Sequence, residues 1–378
     1  MEKAGLNPFS NWSTFTRGQK NFLIGWATFL IVGSLLTLWV MGKEQYDIRQ
    51  DSLAIQTFHL ATGGHQKESN EPETTPPPGH EKDVPREVSI GVYLDRIPEF
   101  SIIESSWKAD FYVWFNWRGS DLNPGDSFHL ANGEVLVKTA VERQDDGDKH
   151  YALYRVTAQI TKTFDVSRFP RNDHLLTIEI EDWGLQSYQL KFVADTSASD
   201  TSPRVAIQGF QVINKQAAVK PSSYKTSRGN PKLSQAYKAT YSQFVYSTWI
   251  ARPTWSLHLK MFVVMFGAVV TALLGFFVKA SPERVALVSG SLFAAVANMY
   301  ITSTLIPDTG VATLADHINW IGAGFIMVAI VQTVIYQYYF EGRDDRLHVT
   351  HFFDVMSFCL MFPLYILLNV AIPMLGSI

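Results

Sequence analysis

The chain has almost no cysteine: Cys359 is the single thiol among 378 residues. One thiol forms neither an intrachain disulfide nor a Cys/His zinc site, so a disulfide-stapled domain is excluded. Cys359 lies in an apolar run, which predicts a small buried side chain. An excess of basic charge is also missing, because 32 Lys and Arg face 35 Asp and Glu. The sequence therefore offers no basic field for nucleic acid, and we expect no nucleic-acid partner.

Catalytic motifs are missing as well. The sequence shows no Ser/His/Asp order with a nucleophile turn, no phosphate-binding glycine loop and no cluster of metal-ligating residues. The histidines at 65 and 80 lie in a polar stretch, and His150 and His174 stand alone. Each is interpreted as a histidine that is hydrogen-bonded within the fold or faces solvent. We therefore expect no enzyme, no cofactor and no metal site.

Long apolar runs stand at both ends of the chain, while most charges fall between residues 43 and 250. A helix needs roughly 20 apolar residues to cross a bilayer core. Five segments meet this length: 21–41, 255–278, 285–306, 318–340 and 351–378. They predict an integral membrane protein in contact with the lipid bilayer. The ionisable groups within the segments lie toward their ends, where we expect them to reach the interface; they are His258, Lys260, His351 and Asp354.

The first apolar segment has two interpretations. A signal peptide would be followed by a small-x-small cleavage site, which residues 39–43 lack, so a retained anchor is favoured. Basic residues mark the cytoplasmic side of membrane proteins. The basic residues beside the segments all fall on one side if the middle of the chain is outside; they are Arg17, Lys20, Lys279, Arg284, Arg343 and Arg346. The N-terminus is then cytoplasmic.

The middle of the chain has sequence patterns typical of β-strands. Candidate strands are 88–97, 107–117, 134–142, 151–163, 175–182, 188–194, 205–217 and 236–249, with turn residues between most of them. In the second candidate, alternate residues form one apolar face, which consists of Phe111, Val113, Phe115 and Trp117. Short strands at such spacing predict a β-sandwich. Residues 62–86 are polar and rich in proline, as in a flexible tether.

The predicted organisation therefore has five parts. They are a cytoplasmic N-terminus at 1–20, a transmembrane helix at 21–42, a flexible linker at 43–86, a β-sandwich at 87–252 and a four-helix transmembrane domain at 253–378.

Several local motifs occur in a fixed order along 88–378. They are Trp117 on the second strand, the loop sequence FDVSRFP at 164–170, Gly209-Phe210, Arg252-Pro253, the ERVAL run at 283–287, and Pro307. With a sandwich followed by four helices, this order resembles the prokaryotic pentameric ligand-gated ion channels, which lack the Cys-loop disulfide. The chain departs from the family in the Arg171-Asn172-Asp173 sequence after the loop proline. The N-terminal helix is an addition to the family's plan.

The resemblance implies a homopentameric receptor of the bacterial inner membrane, gated by a small molecule or by protons. In agonist-binding members, an aromatic residue follows the loop proline by thirteen positions, which is Trp183 here, and another precedes the strand tryptophan by five, which is Tyr112. Tyr224 and Tyr237 flank a polar segment in the position of the capping loop. Such aromatic residues attract a cationic ligand. The alternative is ordinary packing within the sandwich.

The resemblance makes residues 284–306 the pore helix. One helical stripe carries Ala286, Gly290, Phe293, Ala297, Tyr300 and Thr304. Rings of apolar side chains gate by dewetting, so Phe293 is the candidate gate and Tyr300 a second constriction. A ring of Glu283 would favour inorganic cations, provided that Arg284 does not point into the lumen. The alternative is a packing helix, since small residues also permit close helix approach.

The resemblance also implies how the two domains communicate. The base of the sandwich, around Phe169, Pro170 and Arg252, would press on the 307–310 connection that begins at Pro307. The pore helices would then tilt and move Phe293 off the axis. A non-conducting membrane sensor or scaffold of the same architecture is the alternative function.

Overall fold

The computed structural model describes residues 12–62, 80, 83–224, 239–253, 255–279, 281–308, 310–339 and 347–377. The chain divides into two compact units. The helical unit comprises Met1–Asp51, Val166–Arg171 and Thr254–Ile378. The β unit comprises Ser52–Asp165 and Asn172–Pro253.

The helical unit is built from long helices. They are α1 (Arg17–Thr62), α3 (Ser256–Leu274), α4 (Ser281–Ser303), α5 (Leu314–Tyr339) and α6 (Leu347–Leu375). The last part of α1, from Ser52 onward, belongs to the β unit, as does the short α2 (Pro124–Ser127). Within the part of the chain that the structure describes, five helices are long and apolar enough to cross a membrane. The five predicted apolar segments are thus confirmed as helices of sufficient length.

Helix α1 is much longer than the predicted transmembrane segment. It has 46 residues and continues through residues 43–62, which were predicted as the first part of a flexible linker. That prediction was wrong, because this stretch is polar but has no glycine or proline to interrupt a helix. The proline-rich part of the predicted linker lies mostly outside the described residues, at 63–79 and 81–82.

The β unit contains two sheets. The strands are β1 (Arg86–Ser101), β2 (Ser106–Arg118), β3 (Phe128–Leu130), β4 (Gly133–Asp146), β5 (Lys149–Thr161), β6 (Asp173–Asp182), β7 (Leu190–Ala194), β8 (Asp200–Thr201), β9 (Gln211–Ser223) and β10 (Thr240–Ala251). One sheet has the order β4-β5-β2-β1-β7, with β8 also paired to β1, and the other has the order β3-β6-β10-β9. The first sheet is mixed, because β7 and β8 run parallel to β1.

The core of the β unit lies between these sheets. The predicted apolar face of β2 is buried in it, together with Ile178 of β6 and Phe244 of β10. Trp117 is buried at the end of this face. The predicted strand at 205–217 is displaced, since β9 begins at Gln211, after a turn in which Gly209 has φ +81°. A residue with a side chain would be strained at this backbone angle, so the glycine allows the turn that precedes β9.

Three further predictions differ from the structure. The segment Val166–Arg171 belongs to the helical unit, although it was assigned to the 87–252 sandwich. Helix α4 ends at Ser303, before the predicted end at 306, and Pro307 follows in the connection. Cys359 is exposed on the surface of α6.

Candidate functional site

Helix α4 has two different faces. One face is buried against the chain's other helices and consists of Arg284, Val288, Ser291, Ala295, Asn298 and Thr302. The opposite face is exposed and carries five residues of the predicted stripe, which are Ala286, Gly290, Phe293, Ala297 and Tyr300; the sixth, Thr304, is exposed just beyond the end of the helix. Phe293 is 78% exposed and Tyr300 71% exposed. The helical period therefore separates a packed face from a face that this chain alone does not cover.

Arg284 is fully buried at the start of α4, with none of its surface exposed. Its guanidinium forms two hydrogen bonds with the carboxylate of Asp354 on α6, at 3.0 and 2.8 Å. It also lies 4.4 Å from the ring centroid of Tyr336. Gln332 donates a further hydrogen bond to Asp354 at 3.1 Å. Arg284 therefore points into the helical unit, away from the exposed stripe, and its charge is paired.

The neighbouring Glu283 lies on the exposed side of the helix. Its position leaves the carboxylate unneutralised by Arg284. Asp354 and His258, which were expected to extend outward from the ends of the apolar segments, are buried in the helical unit, where Asp354 pairs with Arg284. Lys260 and His351 are exposed.

The buried face of α4 is joined to α5 by side-chain amides. Asn298 donates a hydrogen bond to the Oδ1 of Asn319 at 3.0 Å, and Asn319 donates to the hydroxyl of Thr302 at 2.7 Å. All three side chains are buried. We call these three residues the asparagine clasp. It connects α5 directly to the helix that carries Phe293.

The segment Val166–Arg171 is bonded to the start of α5. The backbone N–H groups of Leu314 and Ala315 donate to the carbonyls of Ser167 and Phe169, at 2.9 and 3.1 Å. The first N–H groups of a helix have no partner within it, so the loop supplies the acceptors. Thr313 and Asp316 complete the helix start with reciprocal side-chain hydrogen bonds.

These bonds locate the predicted coupling residues. Phe169 is buried, and its carbonyl reaches Ala315 rather than the 307–310 connection that contains Pro307. Pro170 follows it across a cis peptide bond. Arg168 anchors the same loop by donating to the carbonyl of Gly376 at 3.0 Å. The loop therefore engages α5 just beyond the connection that was expected to receive it.

Arg252 lies within the β unit. Its Nε donates to the amide oxygen of Asn172 at 3.1 Å, and its guanidinium lies 4.0 Å from the ring centroid of Phe210. Burial lowers the pKa of Arg252 from its usual value. Asn172 in turn bonds His174 at 2.6 Å. The sequence departure after Pro170 thus places a neutral amide, not a carboxylate, beside this arginine.

Two of the predicted ligand-binding aromatics lie around one buried carboxylate. Tyr224 donates its hydroxyl to Glu181 at 2.9 Å, and Gln243 donates to the same carboxylate at 2.7 Å. His129 lies 4.0 Å from Glu181, and its ring is 4.7 Å from that of Trp183. Trp183 is 71% exposed. The Glu181 cluster, defined as Glu181, Trp183, Tyr224, His129 and Gln243, combines a negative charge with an open aromatic ring.

The other two predicted aromatics are not part of this cluster. Tyr112 lies on β2 in the other sheet, opposite Tyr93 of β1, and the guanidinium of Arg155 lies 5.8 Å from its ring centroid. Tyr237 lies outside the described residues, as does the predicted capping segment that precedes it.

Sequence reasoning missed several of the polar contacts within these sites. Arg284 and Asp354 are 70 positions apart, so no local pattern pairs them. A charged residue within an apolar segment was the available signal for Asp354, because such groups are costly in lipid unless they are paired. Nothing in the sequence marked Glu181 as a site residue, apart from its position in a predicted strand.

Among the described residues, no group of three or more His, Cys, Asp or Glu side chains is arranged to hold a metal ion. Comparison with protein-family models and with curated proteins finds no match.

Proposed function

We propose that this chain is one subunit of a homopentameric, cation-selective channel of the pentameric ligand-gated type. In this proposal the protein lies in the bacterial inner membrane, with its N-terminus in the cytoplasm and the β unit outside. The observation that carries the proposal is the exposed face of α4. It is the surface on which five copies would meet around an axis.

The composition of that face differs from the other exposed helix surfaces. Helices α3, α5 and α6 expose mainly bulky apolar side chains, such as Val263, Val331 and Ile366, which suit lipid. Helix α4 also exposes Val296 and Ile301, but its predicted stripe consists of small residues interrupted by Phe293 and Tyr300, and it has the lowest mean hydropathy of the five candidate spans. A face of small residues gains little from lipid contact. It supports a helix that borders a narrow aqueous path.

The charge arrangement at the start of α4 supports cation selectivity. Glu283 is exposed beside the stripe, while the adjacent Arg284 is buried and paired with Asp354. Five copies of Glu283 would form a ring of negative charge at one mouth of the pore. Such rings raise the local concentration of cations.

The hydrogen bonds suggest the route from stimulus to gate. The Val166–Arg171 loop continues along the chain into β6, and its carbonyls hold the start of α5. The asparagine clasp then joins α5 to α4. A shift of the loop would therefore move the helix that carries Phe293, without direct contact at Pro307.

The Glu181 cluster supports a cationic small molecule as the stimulus. An open tryptophan ring attracts a cation through its quadrupole, and Glu181 adds a negative charge beneath the site. Tyr112 would belong to the site only if a neighbouring subunit supplied it. Protons are the other candidate stimulus, because histidines titrate near neutral pH.

The test measures cation flux into proteoliposomes, with an anion control, for the parent chain and for Phe293→Ala. We expect larger, cation-selective flux in the variant, because truncation widens the aromatic constriction. Phe277→Ala is the matched control, since it removes an exposed phenylalanine outside α4 and should leave the flux unchanged. Glu283→Gln in the Phe293→Ala background should reduce the preference for cations.

A non-conducting sensor or scaffold is the second candidate function. The presence of two large exposed aromatics, Phe293 and Tyr300, on one stripe favours it, because two successive rings would close the axis tightly. An absence of cation flux in both the parent and Phe293→Ala, with pentamers demonstrated in the same vesicles, would refute the channel proposal and support this alternative.

A further inference from the structure

Helix α1 touches the rest of the helical unit at two separated levels. At its first level, Trp26 donates its indole N–H to the hydroxyl of Ser357 at 3.1 Å and packs against Phe353. Leu23 is buried at the same level. These contacts attach the N-terminal half of α1 to α6.

The second level of contact lies about five turns further along α1. Glu44 lies 3.3 Å from His317 of α5, and Gln45 bonds the other ring nitrogen of that histidine at 3.3 Å. Gly42 approaches α6 so closely that an added Cβ would lie 2.8 Å from Leu375. Helix α1 is therefore held at both ends of its apolar segment.

Between the two levels the helices stand apart. A cavity of about 250 Å³ opens there, between α1, α5 and α6. Gly33 of α1 and Gly324 of α5 line it, and a Cβ added at either glycine would meet nothing within 4 Å. We call this space the α1 groove. The gap arises because small residues, including Ser34, occupy the position where larger side chains would have closed it.

The walls of the groove are apolar. Phe29, Trp320 and Met361 contribute to them, and the hydroxyl of Thr37 is already donated to the carbonyl of Gly33 at 2.9 Å. The groove therefore offers little to a polar ligand. Water entering it would lose hydrogen bonds without replacement.

The dimensions of the groove fit a hydrocarbon chain. From Phe29 to Met41 the axis of α1 rises about 18 Å, at roughly 1.5 Å per residue. Half of a bilayer core is about 15 Å thick. The cavity is below the usual volume of small-molecule pockets, which begins near 300 Å³. A single unbranched chain entering from one leaflet matches both the length and the narrow section.

We propose that the α1 groove binds one acyl chain of a bilayer phospholipid. A phospholipid is favoured because the groove opens along helices that are apolar enough to span a membrane, where phospholipid is the solvent. The acyl chain completes the packing of α1 between its two contacts. This site does not depend on the channel function proposed above, since none of its residues lies on α4.

The site is tested with the intact protein in bilayers containing a phosphatidylethanolamine probe that carries a diazirine midway along one acyl chain. We expect photolabelling to concentrate on groove residues such as Gly33, Thr37 and Gly324. The lipid-exposed residues Val32 and Leu36 lie on the same helix outside the groove and should be labelled at least fivefold less.

Gly33→Leu and Gly324→Leu fill the groove from opposite walls, so each should reduce labelling of the remaining groove residues at least fivefold. Gly25→Leu is the matched control, because it adds the same bulk to α1 in open space outside the groove, and it should not change the labelling. Gel filtration checks that each variant is folded, and one folded variant of the two suffices.

Two results would overturn the assignment. Equal labelling of Val32 and Leu36, unchanged by the filling variants, would mean ordinary contact with surrounding lipid. Stronger groove labelling by a diazirine fatty acid than by the phospholipid probe, at equal mole fraction, would identify a free fatty acid as the occupant.

Discussion

Removing the carboxylate of Asp354 should strongly destabilise the helical unit. In Asp354→Asn the buried guanidinium of Arg284 loses the charge that compensates it, while its position at the start of α4 stays enclosed. Loss of one partner from a buried ion pair costs about 3–5 kcal/mol. Asparagine keeps one hydrogen-bond acceptor, and Tyr336 still lies 4.4 Å from the guanidinium. We therefore expect the free energy of unfolding to fall by about 3 kcal/mol, near the lower end of this range.

The assay is the free energy of unfolding of the helical unit in bicelles, measured by steric trapping. The double variant Arg284→Met with Asp354→Asn removes both charges and should recover at least half of the loss, because no unpaired charge is left inside the bundle. Glu283→Gln is the matched control. It removes an exposed charge one residue away, and surface changes of this kind stay within about 0.5 kcal/mol.

Two outcomes would refute this reasoning. A loss below about 1 kcal/mol in Asp354→Asn would mean that the carboxylate is not needed to compensate Arg284. A double variant no more stable than Asp354→Asn would show that the effect comes from packing around residue 354 and not from the unpaired guanidinium.

Three further changes test other parts of the structure. The pKa of Asp110 is lowered, chiefly by the hydrogen bond from Arg155, so its carboxylate stabilises the fold above its ordinary pKa of 3.8 and less so as the pH falls. The parent should therefore lose more thermal stability than Asp110→Asn between about pH 5 and pH 3. Gly91→Ala places a Cβ 2.2 Å from the ring of Trp114, and should lower the free energy of unfolding of the β unit by about 1–3 kcal/mol in denaturant titrations. Asn319→Leu breaks the asparagine clasp and should lower the free energy of unfolding of the helical unit by about 0.6–2 kcal/mol. In the flux assay it should weaken stimulus-dependent opening and leave the cation preference unchanged. An unchanged response would exclude the clasp from the gating route.

Periodicity carried most of the successful sequence predictions. Alternation placed Phe111 and Phe115 on one buried face of β2, because a half-buried strand repeats every two residues. The 3.6-residue period likewise grouped Phe293 and Tyr300 on one face of α4, opposite the buried Arg284. These patterns are local, so they can be read without knowing the rest of the fold.

The contacts between helices could not be read in this way. Trp26 and Ser357 are 331 positions apart, and their hydrogen bond depends on how α1 packs against α6. The extent of α1 was missed for a different reason. The predicted transmembrane helix ends at residue 42, with the apolar run, but α1 continues beyond it and its Glu44 and Gln45 contact His317.

The joint between the Val166–Arg171 loop and α5 is made by backbone atoms. Carbonyls of Ser167 and Phe169 accept from the N–H groups of Leu314 and Ala315, so the bonds persist whatever side chains these positions carry. Related chains can therefore diverge in sequence here and keep the same connection. Alanine scanning would report the joint as silent. Replacing the amide of Leu314 or Ala315 with an ester removes the N–H donor itself, and only such a change would reveal what these hydrogen bonds contribute.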